Sequence, residues 1–188
     1  DGTGLSNTAL YAEYSPMSKR LGADGYPLLS NGTSLGYLFD NTVTLEEMST
    51  NIDLQYTHFN GTSFDNSAVI TTDNSNMEMM HKVVSNGEDV SVVWVQNSEN
   101  DTFGLTGTNS VFRKECTNGN WGDIETVDSD LQIISSIDTS YDGAKNIIAY
   151  TTKTGEDKST VDDLEIFYYN GNRVKQLTDD NIPDYSIS

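Results

Sequence analysis

Four close carboxylate pairs carry the densest chemistry in this chain: Asp128/Asp130, Glu156/Asp157, Asp162/Asp163 and Asp179/Asp180. Clustered carboxylate oxygens suit a hard cation. Asp128, Asp130, Asp162, Asp163, Asp179 and Asp180 are therefore candidate calcium ligands, and calcium is the one cofactor the sequence suggests. None of the pairs has the loop spacing of an EF-hand. The aromatic residues Trp121, Tyr168 and Tyr169 stand where half-exposed rings could stack on a sugar, whereas Trp94 lies in a solid apolar run and reads as core. Catalytic constellations are thin. His58 and His81 both fall inside strand-like runs, Cys116 has no partner for an internal disulfide, and there is no nucleophile elbow or phosphate-cradling Gly loop. A glycosidase pair is defined by separation in space, so among 29 acidic residues the sequence cannot single one out.

These residues sit on short apolar runs, alternating or solid, divided by Asn, Asp, Gly, Ser and Thr, and the pattern predicts an all-β chain. Thr44–Met48 could make one helical turn and no more. No run approaches the length needed to span a bilayer as a helix. Apolar residues make up 35% of the 188 positions, and the formal charge is −19. That charge argues against nucleic acid, whose affinity comes from Lys and Arg on phosphates, and against anionic membrane surfaces. It favours a secreted or surface-displayed protein kept soluble by self-repulsion.

The runs repeat. Gly32, Gly87 and Gly143 end similar turns 55 and 56 residues apart, and each is followed by an apolar strand. Four short strands per unit at this period predict a β-propeller-like chain of about three blades. The first blade takes Tyr26–Ser30, Ser34–Phe39, Ile52–Phe59 and Asn66–Thr71. The second takes Met80–Ser85, Val90–Val95, Ser110–Cys116 and Asp123–Val127. The third takes Ser135–Ser140, Asn146–Thr151, Leu164–Tyr169 and Arg173–Leu177. The last two strands of each blade are joined by Asn60-Gly61, Asn118-Gly119 or Asn170-Gly171, read as tight hairpin turns. Residues 1–25, with Ala9–Tyr14 and Lys19–Leu21, read as the end of a preceding blade, and 178–188 as the start of a following one. The blades themselves span 26–71, 72–127 and 128–177. Such a segment would be completed by missing sequence or by another chain.

The third repeat resembles the WD40-like propeller repeat of the TolB family. Its Ser140-Tyr141-Asp142-Gly143 turn, the Ile148-Ala149-Tyr150 strand, Leu164–Tyr169 and Val174-Lys175-Gln176-Leu177-Thr178-Asp179 carry the resemblance over about 50 residues, and the first two repeats match in outline. It implies a propeller of a kind that is often exported and serves as a docking or sensing platform. The motif builds a blade and brings no catalytic residue.

If the strands of each blade run up and down in turn, tight turns emerge at one end and long loops at the other. Seven loop segments at the second end hold 63 residues, with 17 of the 29 acids and 2 of the 10 basic residues. Negative charge is thus gathered on one face, and loops on a rigid scaffold are where binding residues concentrate. The sequence supports a non-catalytic extracellular bacterial module that binds a protein or glycan through this acidic face. Its alternatives are part of a propeller-fold glycan-degrading enzyme and a structural spacer.

Overall fold

The computed structural model describes residues 8–14, 29–30, 34–35, 52–72, 76–87, 89–153 and 163–187. The predicted helical turn at 44–48, most of Ser34–Phe39, and the segment Lys19–Leu21 lie outside them. All regular structure among the described residues is β, and every pairing is antiparallel.

The chain divides into two compact units, Asp1–Met77 and Glu78–Ser188. The first contains β1 (Thr8–Tyr14), β2 (Leu29–Ser30), β3 (Ser34–Leu35), β4 (Ile52–His58) and β5 (Ala68–Val69). Its larger sheet has the order β1-β4-β5, and β2 pairs with β3 separately. Residues 9–14, read from sequence as part of a preceding blade, instead run beside β4 in the register Thr8↔His58 to Tyr14↔Ile52. Alternating apolar residues mark a strand but do not say which neighbour it takes, and the sequence reading paired by chain order alone.

The second unit follows the repeat closely. β6 (Glu78–Ser85), β7 (Val90–Asn97), β8 (Asn109–Thr117) and β9 (Asn120–Leu131) form a four-stranded sheet in sequential order. β10 (Ile134–Asp142), β11 (Lys145–Lys153), β12 (Leu164–Tyr169) and β13 (Val174–Gln176) form another. β7 is buried over almost its whole length because it is central to its sheet and covered on both faces, which explains its solid Val-Ser-Val-Val-Trp-Val run. The two sheets lie face to face. Val93, Val95 and Val111 of one meet Ile134, Ile137, Ile148 and Tyr150 of the other in a single apolar cluster. Each such aliphatic side chain removed from water contributes about 1.5–3 kcal/mol.

The same aromatic pair recurs in both sheets. Trp94 stacks on Phe112 across β7 and β8 with ring centroids 5.9 Å apart, and Tyr150 stacks on Phe167 across β11 and β12 at 5.8 Å. Each pair occupies directly opposed positions in its ladder.

The three Asn-Gly joints, expected to be alike, are two kinds of turn. At Asn118-Gly119 both residues have positive φ (50° and 77°), the two-residue hairpin form that links Thr117 to Asn120. At Asn60 and Asn170 only the following Gly has positive φ, and the Asn Oδ1 accepts two backbone N–H groups, from Thr62 and Ser63 or from Asn172 and Arg173. Side-chain capping there replaces backbone geometry.

Candidate functional site

Within the second unit, the turns after β6, β8, β10 and β12 lie at one end of the sheets. The β7–β8 loop, the β9–β10 link and the segment after β13 lie at the other, as the alternation of antiparallel strands requires. The β7–β8 loop is built from its own polar side chains. Asp101 accepts backbone N–H groups from Phe103 (3.0 Å), Leu105 (2.8 Å) and Thr106 (2.8 Å), and the Thr106 hydroxyl as well. The N–H groups of Phe103 and Thr106 lead in holding its carboxyl below the ordinary carboxylate value. Asn97, buried at the end of β7, accepts from the N–H groups of Glu99 and Asp101 and donates to the Thr106 carbonyl and to Asn109 Oδ1. Asn109 in turn donates to the Gly104 and Gln132 carbonyls, fastening the loop to the β9–β10 link. Gly104 has φ +65°, and a Cβ there would lie 2.9 Å from Asn109 Oδ1, so the loop closes only around a glycine.

This anchored loop holds two apolar side chains out in water. Phe103 is 76% exposed and Leu105 49%. Ile182, in the segment after β13 at the same end, is 70% exposed. That segment is also tied down: Thr178 Oγ1 donates to Asp184 Oδ2, the Asp184 N–H donates to the Leu164 carbonyl, and the Asp180 N–H donates to Glu165 Oε1. Glu165 is 1% exposed, and its Oε2 and the opposed Thr152 Oγ1 are buried without a hydrogen-bond partner.

Among the described residues no group of three or more His, Cys, Asp or Glu side chains is arranged to hold a metal. Asp128 accepts the Tyr150 hydroxyl and the Ser129 N–H. Asp130, at φ 58°, accepts the Ser129 hydroxyl, and Asp180 Oδ1 accepts the Ile182 N–H. Their oxygens are engaged by donors of the protein itself. Asp179 is exposed after β13, Asp163 precedes β12, and Asp162 lies outside the described residues.

Trp121, Tyr168 and Tyr169 are all partly accessible, but the two tyrosines do not share a face. Tyr168 and Tyr169 are consecutive on β12 and so point to opposite faces of the sheet. Tyr169 packs against the inter-sheet core with the Arg113 guanidinium 5.1 Å from its ring centroid, while Tyr168 is on the outer face. Trp121 is half-buried on β9 opposite Cys116.

Arg113 anchors the turn-end side of the inter-sheet space. It is 7% exposed, donates through Nε and Nη2 to Glu125 Oε2 (3.0 and 2.7 Å), and lies 3.2 Å from Glu115. Burial opposes its charge, but Glu125 and Glu115 outweigh burial and hold its pKa above the usual value. Burial, aided by the fields of Glu115 and Asp89, pushes the Tyr141 phenol up to about 12. Burial and the Asp128 hydrogen bond raise Tyr150 further still. His58 is exposed with Nδ1 3.1 Å from Asp65 Oδ2, and His81, exposed beside a bulge in β6, is held below its normal range by partial desolvation and by Lys82.

Sequence reasoning missed Asp101, Phe103 and Leu105. Asp-x-Phe-x-Leu in a polar loop is a legible signal, because an Asp ahead of several free N–H groups caps a turn. No family model, curated protein or solved structure matches this chain.

Proposed function

We propose that this chain is a non-catalytic, propeller-type module, secreted or displayed at a bacterial surface, that docks a protein through the loop end of its sheets. The observation that carries the proposal is the β7–β8 loop, where a hydrogen-bonded scaffold centred on Asp101 holds Phe103 and Leu105 exposed. Large apolar side chains on a pre-organised loop give up little conformational entropy when a partner covers them. The surrounding negative charge selects a partner with Lys or Arg around an apolar pocket and steers its approach.

The blade reading is supported by the two sequential four-stranded sheets, by their repeated aromatic pair, and by the apolar seam between them. A protein partner suits the exposed Phe and Leu better than a glycan, since Tyr168 and Tyr169 offer no common stacking surface. The test is selection of a displayed random-peptide library on the immobilised chain. Enrichment of peptides with an apolar anchor flanked by basic residues, lost in the Phe103→Ser/Leu105→Ser variant and weakened by salt, is expected. No enrichment, or enrichment indifferent to the double variant, overturns the reading.

A further inference from the structure

The face of the β6–β9 sheet that carries Val93, Val95 and Val111 is covered by the β10–β13 sheet. The corresponding face of the β10–β13 sheet, turned away from that seam, carries Ile147, Ala149, Ile166 and Tyr168, all of them partly accessible. Strand alternation fixes this assignment, because their neighbours Ile148, Tyr150, Phe167 and Tyr169 point into the seam.

The ladder registers define a straight row across this outer face. Asp138 of β10 is opposite Ala149 of β11, Ala149 is opposite Tyr168 of β12, and Tyr168 is opposite Lys175 of β13. From edge to edge the row therefore reads acidic, small, large, basic. Its neighbour reads Ser136, Thr151, Ile166 and Leu177; Leu177 is 53% exposed, but Thr151 is fully buried and residues 185–187 lie along the β10 side, where the Ile187 N–H donates to Ser136 Oγ and the Ser135 hydroxyl donates to the Tyr185 carbonyl. Above Ala149 lies an open groove of about 350 Å³, walled by Asp138, Ser140, Ile147 and Ile187. Arg173 and Lys175 are both exposed on the β13 edge, in a chain with only 10 basic residues.

Such a row is complementary to itself. Turning a second copy by a half-turn about an axis along the strands lays β10 of one copy over β13 of the other, and β11 over β12. Asp138 then meets the second copy's Lys175, and Tyr168 meets the groove over the second copy's Ala149, twice in each pair. We infer that two copies of this chain dock through the outer face of the β10–β13 sheet, continuing the face-to-face stacking that already joins the sheets within one chain. A twofold contact that uses one patch on both subunits is the commonest form of soluble oligomer, and aligned sheets packed face to face are its natural geometry here. The inference rests on reading these sheets as stacking units, but it shares no residue with the loop-end docking site, so either can fail alone.

The experiment is sedimentation equilibrium on the whole chain and three variants at low salt. The wild type should reach twice the 20.7 kDa of the monomer. Asp138→Lys and Lys175→Asp should each weaken association by roughly tenfold or more, since each places like charges together at two symmetric points. The double variant Asp138→Lys/Lys175→Asp should regain most of the loss. Both positions are on the sheet surface, so circular dichroism and melting temperature should stay unchanged. A monomer at every concentration overturns the inference. So does a dimer that ignores the single charge reversals, or one that the double variant fails to restore.

Discussion

Ile147 and Ile148 are neighbours on β11 with the same side chain and opposite surroundings. Ile148 is fully buried between two sheets, against Tyr150 and the valines of β7, while Ile147 lines an open groove on the outer face. The β6–β9 sheet differs: Val92 and Trp94, which point away from the seam, are fully buried as well. What makes a strand of this chain core or surface is thus the layer above it, more than its own hydrophobicity. β11 is apolar enough for burial on both sides and receives full cover on one.

The largest effect that sharpens this contrast is at the seam. Ile148→Ala should cost about 2–5 kcal/mol, whereas Ile147→Ala in dilute protein should cost about 0.5 kcal/mol or less, both read from denaturant midpoints. Equal costs would mean the outer face is closed within the monomer. Next comes pH. In the folded chain the Tyr150 hydroxyl is buried and donates to Asp128, and its pKa lies above the value it has unfolded. Its contribution is fully present below about pH 10 and is lost as pH rises beyond that, because only the unfolded chain ionises readily there. Tyr150→Phe should flatten the alkaline loss of stability, and a wild-type stability that does not fall above pH 10 would contradict the assignment.

The loop end gives the smaller effects. Asp101→Ala removes the acceptor for three backbone N–H groups and should loosen the loop, with faster amide exchange confined to residues 101–108. Because the Asp101 carboxyl is held below its ordinary pKa, its stabilisation is complete above about pH 4 and fades as pH falls through the lowered value. Loop amides should therefore lose protection in acid before the strands do. Smallest is Asn118→Gly, which relieves a positive φ at a non-Gly residue and should raise stability by a few tenths of a kcal/mol to about 1 kcal/mol, whereas Asn170→Gly, where φ is not positive and the lost side chain caps the turn, should lower it.

Much of the second unit was legible in the sequence. The strand order β6 to β13 could be read from a 56-residue spacing of glycines and from solid apolar runs, because a central strand covered on both faces needs such a run. The pairing of β1 with β4 was not legible, since hydrophobic alternation is indifferent to which strand lies alongside. The site was less legible still. Carboxylate density pointed to a cation, yet Asp128 and Asp180 are engaged by tyrosine or backbone donors that only the folded loops bring near. Tyr168 and Tyr169 are adjacent in sequence, and the alternation of β12 puts them on opposite faces.

The central claim is that the two four-stranded sheets form one face-to-face structural unit that holds its loop end rigid. Native-state hydrogen exchange across residues 78–187 tests it most directly. The expected result is that the core amides of β7, β8, β11 and β12 share one opening free energy, and that Ile148→Ala lowers all of them by the same amount. Exchange of the β10–β13 strands through a separate, lower-energy opening that leaves β7 and β8 protected would contradict the account.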